Sequence, residues 1–326
     1  MLEFQLNTPV VFIIFNRPDT TRVVFDEIRK AKPPKLLVVA DGPRRDKAGE
    51  AKQCEQTRRI IQEVDWDCEV ITNFAADNLG CRERIVTGLA WVFSLVEEAI
   101  ILEDDCVPHP SFFRFCQETL AYYRNESRIM MISGTNYLVD KFETPDSYFF
   151  SRHYSIWGWA TWRRAWKSYD PDIRAWRQSI GVKQLRYQCA DWKMQKHFEM
   201  KFDMITGRQI NTWDFQWVFN CLFNNGLCLT AAKNLITNIG VVGTHSDAES
   251  DSHFLPGIGI EFPLRHPTYL YPDCRYDQFL FRAQSSKIVL LKRMIESGLR
   301  SSGLNWLYEW LKVMNRYAKN IVKPLS

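Results

Sequence analysis

The chain has 326 residues, 46% hydrophobic and 25% charged, a globular composition long enough for one large domain or two of ordinary size. Its net charge of +4 is unevenly placed: eight Lys and Arg against two acids lie beyond residue 284, so the rest carries about −2, which excludes nucleic acid as a partner of the main body. Nine scattered cysteines with no C-x-x-C pair exclude a zinc ribbon or a disulfide scaffold and suit reduced thiols in the cytosol.

The N-terminus, MLEFQLNTP, lacks the basic-then-apolar pattern of a signal peptide, and no apolar run is long enough to span a membrane. Val10 to Phe15 is a short β-branched run, as expected of a buried parallel strand. Asp19-Thr20-Thr21 then opens a helical pattern with Asp19 as its N-cap. Leu36 to Ala40 predicts a second strand, stopped by Asp41-Gly42-Pro43, and charged helical sequence follows from about Asp46 to Glu63. Glu69 to Thr72 predicts a third strand, Arg82 to Val96 a third helix and Ala99 to Leu102 a fourth strand.

This alternation implies an α/β fold, a mainly parallel central sheet with helices on both faces. Past residue 125 it breaks down into Trp-rich segments, suggesting a second half that covers the first. Ligands of such sheets bind beyond the carboxyl ends of the strands. Three of the four strands carry polar residues there: Asn16-Arg17-Pro18, Asp41-Gly42 and Glu103-Asp104-Asp105. No G-x-G-x-x-G follows the first strand and no G-x-x-x-x-G-K-[ST] is present, so dinucleotide and P-loop folds lose support.

Three consecutive carboxylates repel one another. Hard oxygen ligands suit Mg²⁺ or Mn²⁺, which take one or two carboxylates plus substrate phosphates. The alternative is that one acid caps the helix starting near Pro110-Ser111 and the others are solvated. Asp214 lies in a helical stretch of about 208–225 with Trp213, Trp217, Val218 and Cys221 forming an apolar stripe. There it could be a helix-terminus charge or a base whose pKa is raised by its Trp and Phe neighbours. Arg17 could brace the first strand's exit or pair with Asp41. Arg82 could contact phosphate near a helix start or be an exposed helix cation. Trp157, Trp159 and Trp162 are candidates for the floor of a sugar site, with core packing the alternative for at least two.

The segment AIILEDDCVPHPSFFRFCQ resembles the metal-site segment of GT-A glycosyltransferases, especially the N-acetylglucosaminyltransferase I-like family, where E-D-D is followed by a P-x-F-F helix start. VFIIFNRP is similar to that family's first strand and nucleotide-contacting Arg, and VVADG to its second strand with the Asp that reads uracil. MMISGTNY resembles its next strand, SIWGWATWRRAW its Gly-Trp helix, NTWDFQW its W-D-D-W region and GVVGTHSDAESDSHF a mobile loop. The resemblance spans roughly residues 8 to 260 in one order.

It implies a GT-A fold and a metal-dependent inverting glycosyltransferase without the family's membrane anchor. By matching position, Asp105 is implied as the ligand of Mn²⁺ or Mg²⁺, with Glu103 and Asp104 at the ribose or behind the metal. Arg17 and Asp41 would contact the nucleotide sugar, Asp214 would be the catalytic base, and His245 a metal or phosphate contact on a lid of about 240–260; Arg82 and Trp159 join the donor contacts from the residue reading alone. W-D-D-W reads Trp213-Asp214-Phe215-Gln216 here, so only one acid is available as base. The implied donor is a UDP-sugar such as UDP-N-acetylglucosamine and the acceptor a glycan or lipid-linked glycan.

Residues 1–284 are then the transferase domain, with 1–125 the nucleotide half and 126–284 the acceptor half. Residues 285–326 form a basic amphipathic segment, either lying on an anionic membrane surface from the cytoplasmic side or packed back on the domain. Two other classes compete. A sugar nucleotidyltransferase would carry a Gly-rich first loop where this chain reads N-R-P-D-T. A degenerate, non-catalytic module of the same fold at a membrane is compatible with the single acid of W-D-F-Q.

Overall fold

The computed structural model describes residues 4–177, 181–189, 191–240 and 255–284. By internal contacts the chain divides into two units, Met1–Asp277 and Gln278–Ser326. The segment 285–326 and the middle of the expected lid, 241–254 with His245, lie outside the described residues.

The first half follows the expected alternation: β1 (Val10–Ile14), α1 (Pro18–Ala31), β2 (Lys35–Ala40), α2 (Glu50–Ile60), β3 (Glu69–Phe74), α3 (Cys81–Leu95) and β4 (Glu98–Glu103). β1 pairs in parallel with β2 and β4, and β2 with β3. The β-branched runs favour this arrangement because a parallel strand is covered on both faces. Val38 joins the core cluster with Val24, Phe25 and Ile28 of α1. On the opposite face its neighbour Val39 meets α3, where a Cβ added to Gly88 would lie 2.5 Å from Val39 Cγ1. Helices therefore cover both faces, as the period-two alternation of a strand requires.

The second half departs from expectation. β5 (Cys106–Pro108) and α4 (Ser111–Tyr122) come next, and then β6 (Ile129–Ser133), β7 (Tyr148–Ser151), β8 (Trp159–Trp162), α5 (Arg163–Trp166), α6 (Gly181–Gln188), α7 (Trp192–Thr206), α8 (Asp214–Phe223), β9 (Leu227–Ala231), β10 (Ile236–Asn238) and α9 (Cys274–Gln284). β6 to β9 extend the same sheet, in the order β3-β2-β1-β4-β8-β6-β9-β7. β8 and β7 run against the other strands. The stretch W-A-T-W, matched to a helix by resemblance, is thus an inner strand. Its four residues are all buried, paired on both sides by β4 and β6, and its β-propensity prevails once both edges are supplied.

Element starts also moved. Asp19 is in the first turn of α1, not at its cap; Arg17 holds the cap position and Pro18 follows, because proline's fixed φ suits the first helical residue. α2 begins at Glu50 rather than near Asp46, after Gly49 takes a left-handed φ of 82°. α8 begins at Asp214 rather than near Arg208, which is itself left-handed at φ 55°.

Asp277 of α9 is buried, accepting hydrogen bonds from Ser151 Oγ (2.6 Å) and the Arg152 amide (3.1 Å). Burial pushes its carboxyl up to about 6, against those hydrogen bonds. A carboxyl raised on folding makes the native state hold the extra proton, so its contribution falls as pH climbs from about 4 to about 6. Asp277→Asn lacks this dependence. Its stability relative to wild type is expected to improve by about 2 kcal/mol across that window, read as the difference between two denaturant-midpoint profiles against pH.

Candidate active site

The carboxyl ends of β1, β2 and β4 lie side by side, with Ile13 in register with Glu103 and Ile14 with Ala40. Asn16, Arg17, Asp41 and the Glu103 to Asp105 triplet therefore emerge at one edge, where the sequence placed them.

Arg17 joins the triplet. Its guanidinium forms a short contact with Asp104 Oδ1, and its Nη1 stands 2.9 Å from Asp105 Oδ2. The backbone amide of Phe15 adds a hydrogen bond to Asp104 Oδ2 at 3.3 Å. The alternative pairing of Arg17 with Asp41 is not what forms. Burial opposes the Arg17 charge, but Asp104 and Asp105 outweigh it and raise its pKa above the ordinary value. Burial pushes Asp104 up to about 6, with Arg17 pulling the other way. Burial, followed by the charges of Asp105 and Asp104, pushes Glu103 up to about 8. One guanidinium does not neutralise three acids.

The helix-capping alternative for the triplet also fails. β5 intervenes before α4, and the first-turn amide of Ser111 donates to His109 Nδ1 at 3.2 Å.

Asp41 is buried and its carboxylate is spent on the chain. Oδ1 accepts from the amides of Gly42 (2.8 Å) and Leu79 (2.9 Å), and Oδ2 from Gly80 N and Asn78 Nδ2 (3.0 Å each). It fixes the 78–80 loop that leads into α3. Gly42 lets that loop approach, since a Cβ there would meet the Asp77 carbonyl carbon at 2.4 Å. Arg82 donates to the Pro171 carbonyl at 2.7 Å and stands 3.5 Å from Asp172, so it ties α3 to the 170–172 loop.

That loop steadies Asp214. Tyr169 stacks on Trp166 (4.5 Å between centroids) and donates its hydroxyl to the Trp213 carbonyl at 3.0 Å. Trp213 in turn stacks on Trp159, which also packs on Trp217. Each such aromatic pair adds about 1 kcal/mol beyond its buried area, enough to pin the first turn of α8. Trp159 is only 1% exposed and Trp162 2%, so packing describes these two, whereas Trp157 is half-buried. Asp214 itself is half-buried at the helix N-terminus, where the dipole favours an anion, and its Oδ1 accepts a short hydrogen bond from Thr212.

Asp214 stands near enough to the triplet for its charge to be felt there. Its charge is among those that raise Glu103. Cys81, the first residue of α3, has its thiol pushed up to about 12 by the protein around it and then by Glu103, Asp214 and Asp41. The thiol of Cys81 and the carboxyl of Glu103 thus both feel the charge of Asp214.

The sequence reading missed the residues behind Asp105. The ribbon of β5 and β10 is antiparallel, and beyond it the Ile239 amide donates to the Asp105 carbonyl at 2.9 Å. A Cβ on Gly240 would lie 2.3 Å from Asp105 Oδ2, and the Gly240 amide donates to Asn238 Oδ1 at 2.8 Å. The only signal was the tripeptide N-I-G, too short to read. Glu50 was also missed: it is buried, and it holds Asn16 (2.9 Å) and Arg44 at the exits of β1 and β2.

No family model matches the chain, and no curated protein matches it by sequence. Solved structures with a distant likeness include a mannosyltransferase from Pyrobaculum calidifontis in complex with GDP-Man and Mn²⁺ (9% identity, 67% of this chain and 70% of that one, TM-score 0.36). Mouse xyloside xylosyltransferase 1 is similar at 10% identity (66% and 81%, TM-score 0.34). A CMP:2-keto-3-deoxy-manno-octonic acid synthetase complexed with CTP is similar at 12% (69% and 89%, TM-score 0.33). Likenesses this remote place no activity on the chain, which leaves the residues themselves to argue from.

The donor set fits a hard divalent cation. Asp105 and Glu103 offer carboxylate oxygens at a strand end with surplus negative charge, and among the described residues Asp105 Oδ1 meets the Cys106 thiol, at 3.4 Å. Among the described residues no three acids, His or Cys are grouped closely enough to hold an ion alone.

Proposed function

We propose that the protein is a GT-A-type, metal-dependent, inverting glycosyltransferase. It would transfer a sugar from a nucleotide-diphosphate donor, a UDP-sugar such as UDP-N-acetylglucosamine, to a hydroxyl of a glycan or lipid-linked glycan. The observation carrying this reading is the gathering of Arg17, Glu103, Asp104 and Asp105 at the strand ends, near enough to Asp214 on α8 for its charge to act on Glu103. The ordered sequence resemblance supports it independently. Among the described residues no helix is long and apolar enough to cross a membrane.

In this reading Asp105, with Glu103 beside it, holds Mn²⁺ or Mg²⁺, which when bound supplies positive charge to the departing diphosphate. Arg17 orients Asp104 and Asp105 and presents a cation where the nucleotide enters. Asp41 and Arg82 hold the loops that flank the nucleotide. Asp214 takes the proton of the acceptor hydroxyl as that oxygen attacks the anomeric carbon from the side opposite the diphosphate. Thr212 holds Oδ1, so Oδ2 is the oxygen left to receive the proton. The tryptophans behind Asp214 keep it in place and limit water around it.

The test is calorimetry with UDP, with and without Mn²⁺. Binding is expected to strengthen at least about tenfold with the metal. Failure of every nucleoside diphosphate to bind under either condition overturns the proposal.

A further inference from the structure

We propose that the α6–α7 hairpin is a docking surface for an anionic lipid bilayer. The exposed sides of its two helices carry large apolar side chains and cations. Tyr187 is 78% exposed, Trp192 68%, Met200 51% and Val182 47%. Between them stand the exposed Lys183, Arg186 and Lys193, with Lys196 paired to Glu199. Helical spacing puts Val182, Lys183, Arg186 and Tyr187 on one side of α6, and Trp192, Lys193, Lys196 and Met200 on one side of α7.

The acids of the hairpin are occupied internally. Asp191 caps α7 through the amides of Lys193 and Met194, each at 2.9 Å. Glu199 accepts from Gln195 (2.7 Å) and pairs with Lys196 (2.5 Å). Asp203 accepts from Trp176 Nε1 at 2.8 Å. Across 181–206 five Lys and Arg stand against three Asp and Glu, so the hairpin carries net positive charge interleaved with Tyr and Trp, the combination that settles at a lipid headgroup boundary.

Charge decides between occupants. The segment 285–326 carries eight Lys and Arg against two acids, the same sign as the face, and a second copy of the hairpin would meet it cation against cation. An anionic bilayer is the partner of complementary charge, attracting each basic residue by about fivefold in affinity. The inner side of the hairpin is consistent with a fixed platform: Phe202 packs on Phe219 of α8, edge to face at 5.1 Å. Docking would hold α8, whose first residue is Asp214, close to the lipid surface.

Sedimentation of the full chain with vesicles tests this, comparing phosphatidylcholine alone with phosphatidylcholine containing one quarter phosphatidylglycerol. Wild type is expected to cosediment with the anionic vesicles only. Trp192→Ser with Tyr187→Ser should weaken that partition at least tenfold, and Lys183→Glu with Lys193→Glu should do so at low but not at high salt. All four positions are exposed, so the variants should keep the wild-type melting temperature. Unchanged partition of both variants overturns the proposal and assigns any binding to other parts of the chain. A change in oligomeric state without lipid in the Trp192 variant, with partition unchanged, overturns it in favour of self-association.

Discussion

Asp214→Asn is expected to lower the rate of sugar transfer by about 1,000-fold, equivalent to about 4 kcal/mol of barrier, while leaving donor binding within about twofold. The substitution keeps the shape. Asn can still accept from Thr212 and still occupies the first turn of α8, held there by Trp213, Trp159 and Tyr169. What it cannot do is take a proton. Release of UDP from UDP-N-acetylglucosamine in the presence of acceptor measures the rate, and calorimetry with UDP measures the binding. Transfer at the wild-type rate would move the base elsewhere in the cleft.

Asp105→Asn addresses the other end of the reaction. Nucleotide binding in Mn²⁺ is expected to weaken about 100-fold, some 2.7 kcal/mol, and to become indifferent to the metal. Loss of one carboxylate also changes what Arg17 faces, since Asp104 alone then balances it. Binding without metal should therefore survive at roughly the wild-type level, or improve slightly as repulsion of the diphosphate falls. Equal metal dependence in variant and wild type would show that the cation is held without Asp105. The pair of variants separates donor capture from proton removal, which a single loss of activity would not.

The two halves of the chain differed in how openly they could be read. β1, β2 and β4 hold continuous apolar runs of four or five residues, and buried parallel strands have little freedom to be anything else. Their exits were legible because Asn16-Arg17-Pro18, Asp41-Gly42 and Glu103 to Asp105 interrupt those runs abruptly. β8 gave no such signal. Trp159 to Trp162 contains two tryptophans and runs straight into the short helix α5, so its local pattern suits either class. It became an inner strand only when β4 and β6 supplied hydrogen bonds on both edges.

The residue roles divide in the same way. That Glu103, Asp104 and Asp105 crowd one strand end, and that Asp214 stands alone between Trp213 and Phe215, are properties of the sequence. That Arg17 answers Asp104 and Asp105 rather than Asp41 is a property of the fold. β1 lies between β2 and β4, so its exit could turn to either side; Asp41 is already satisfied by the amides of Gly42, Leu79 and Gly80, whereas the triplet has charge to spare. Trp159 likewise turned from a candidate sugar contact into core, buried to 1% exposure with Trp213 and Trp217 packed against it. The sequence alone determined which groups could carry charge and chemistry, since those are properties of side chains. Only the tertiary structure decided which were left free to act, because that depends on what the rest of the chain had already paired or buried.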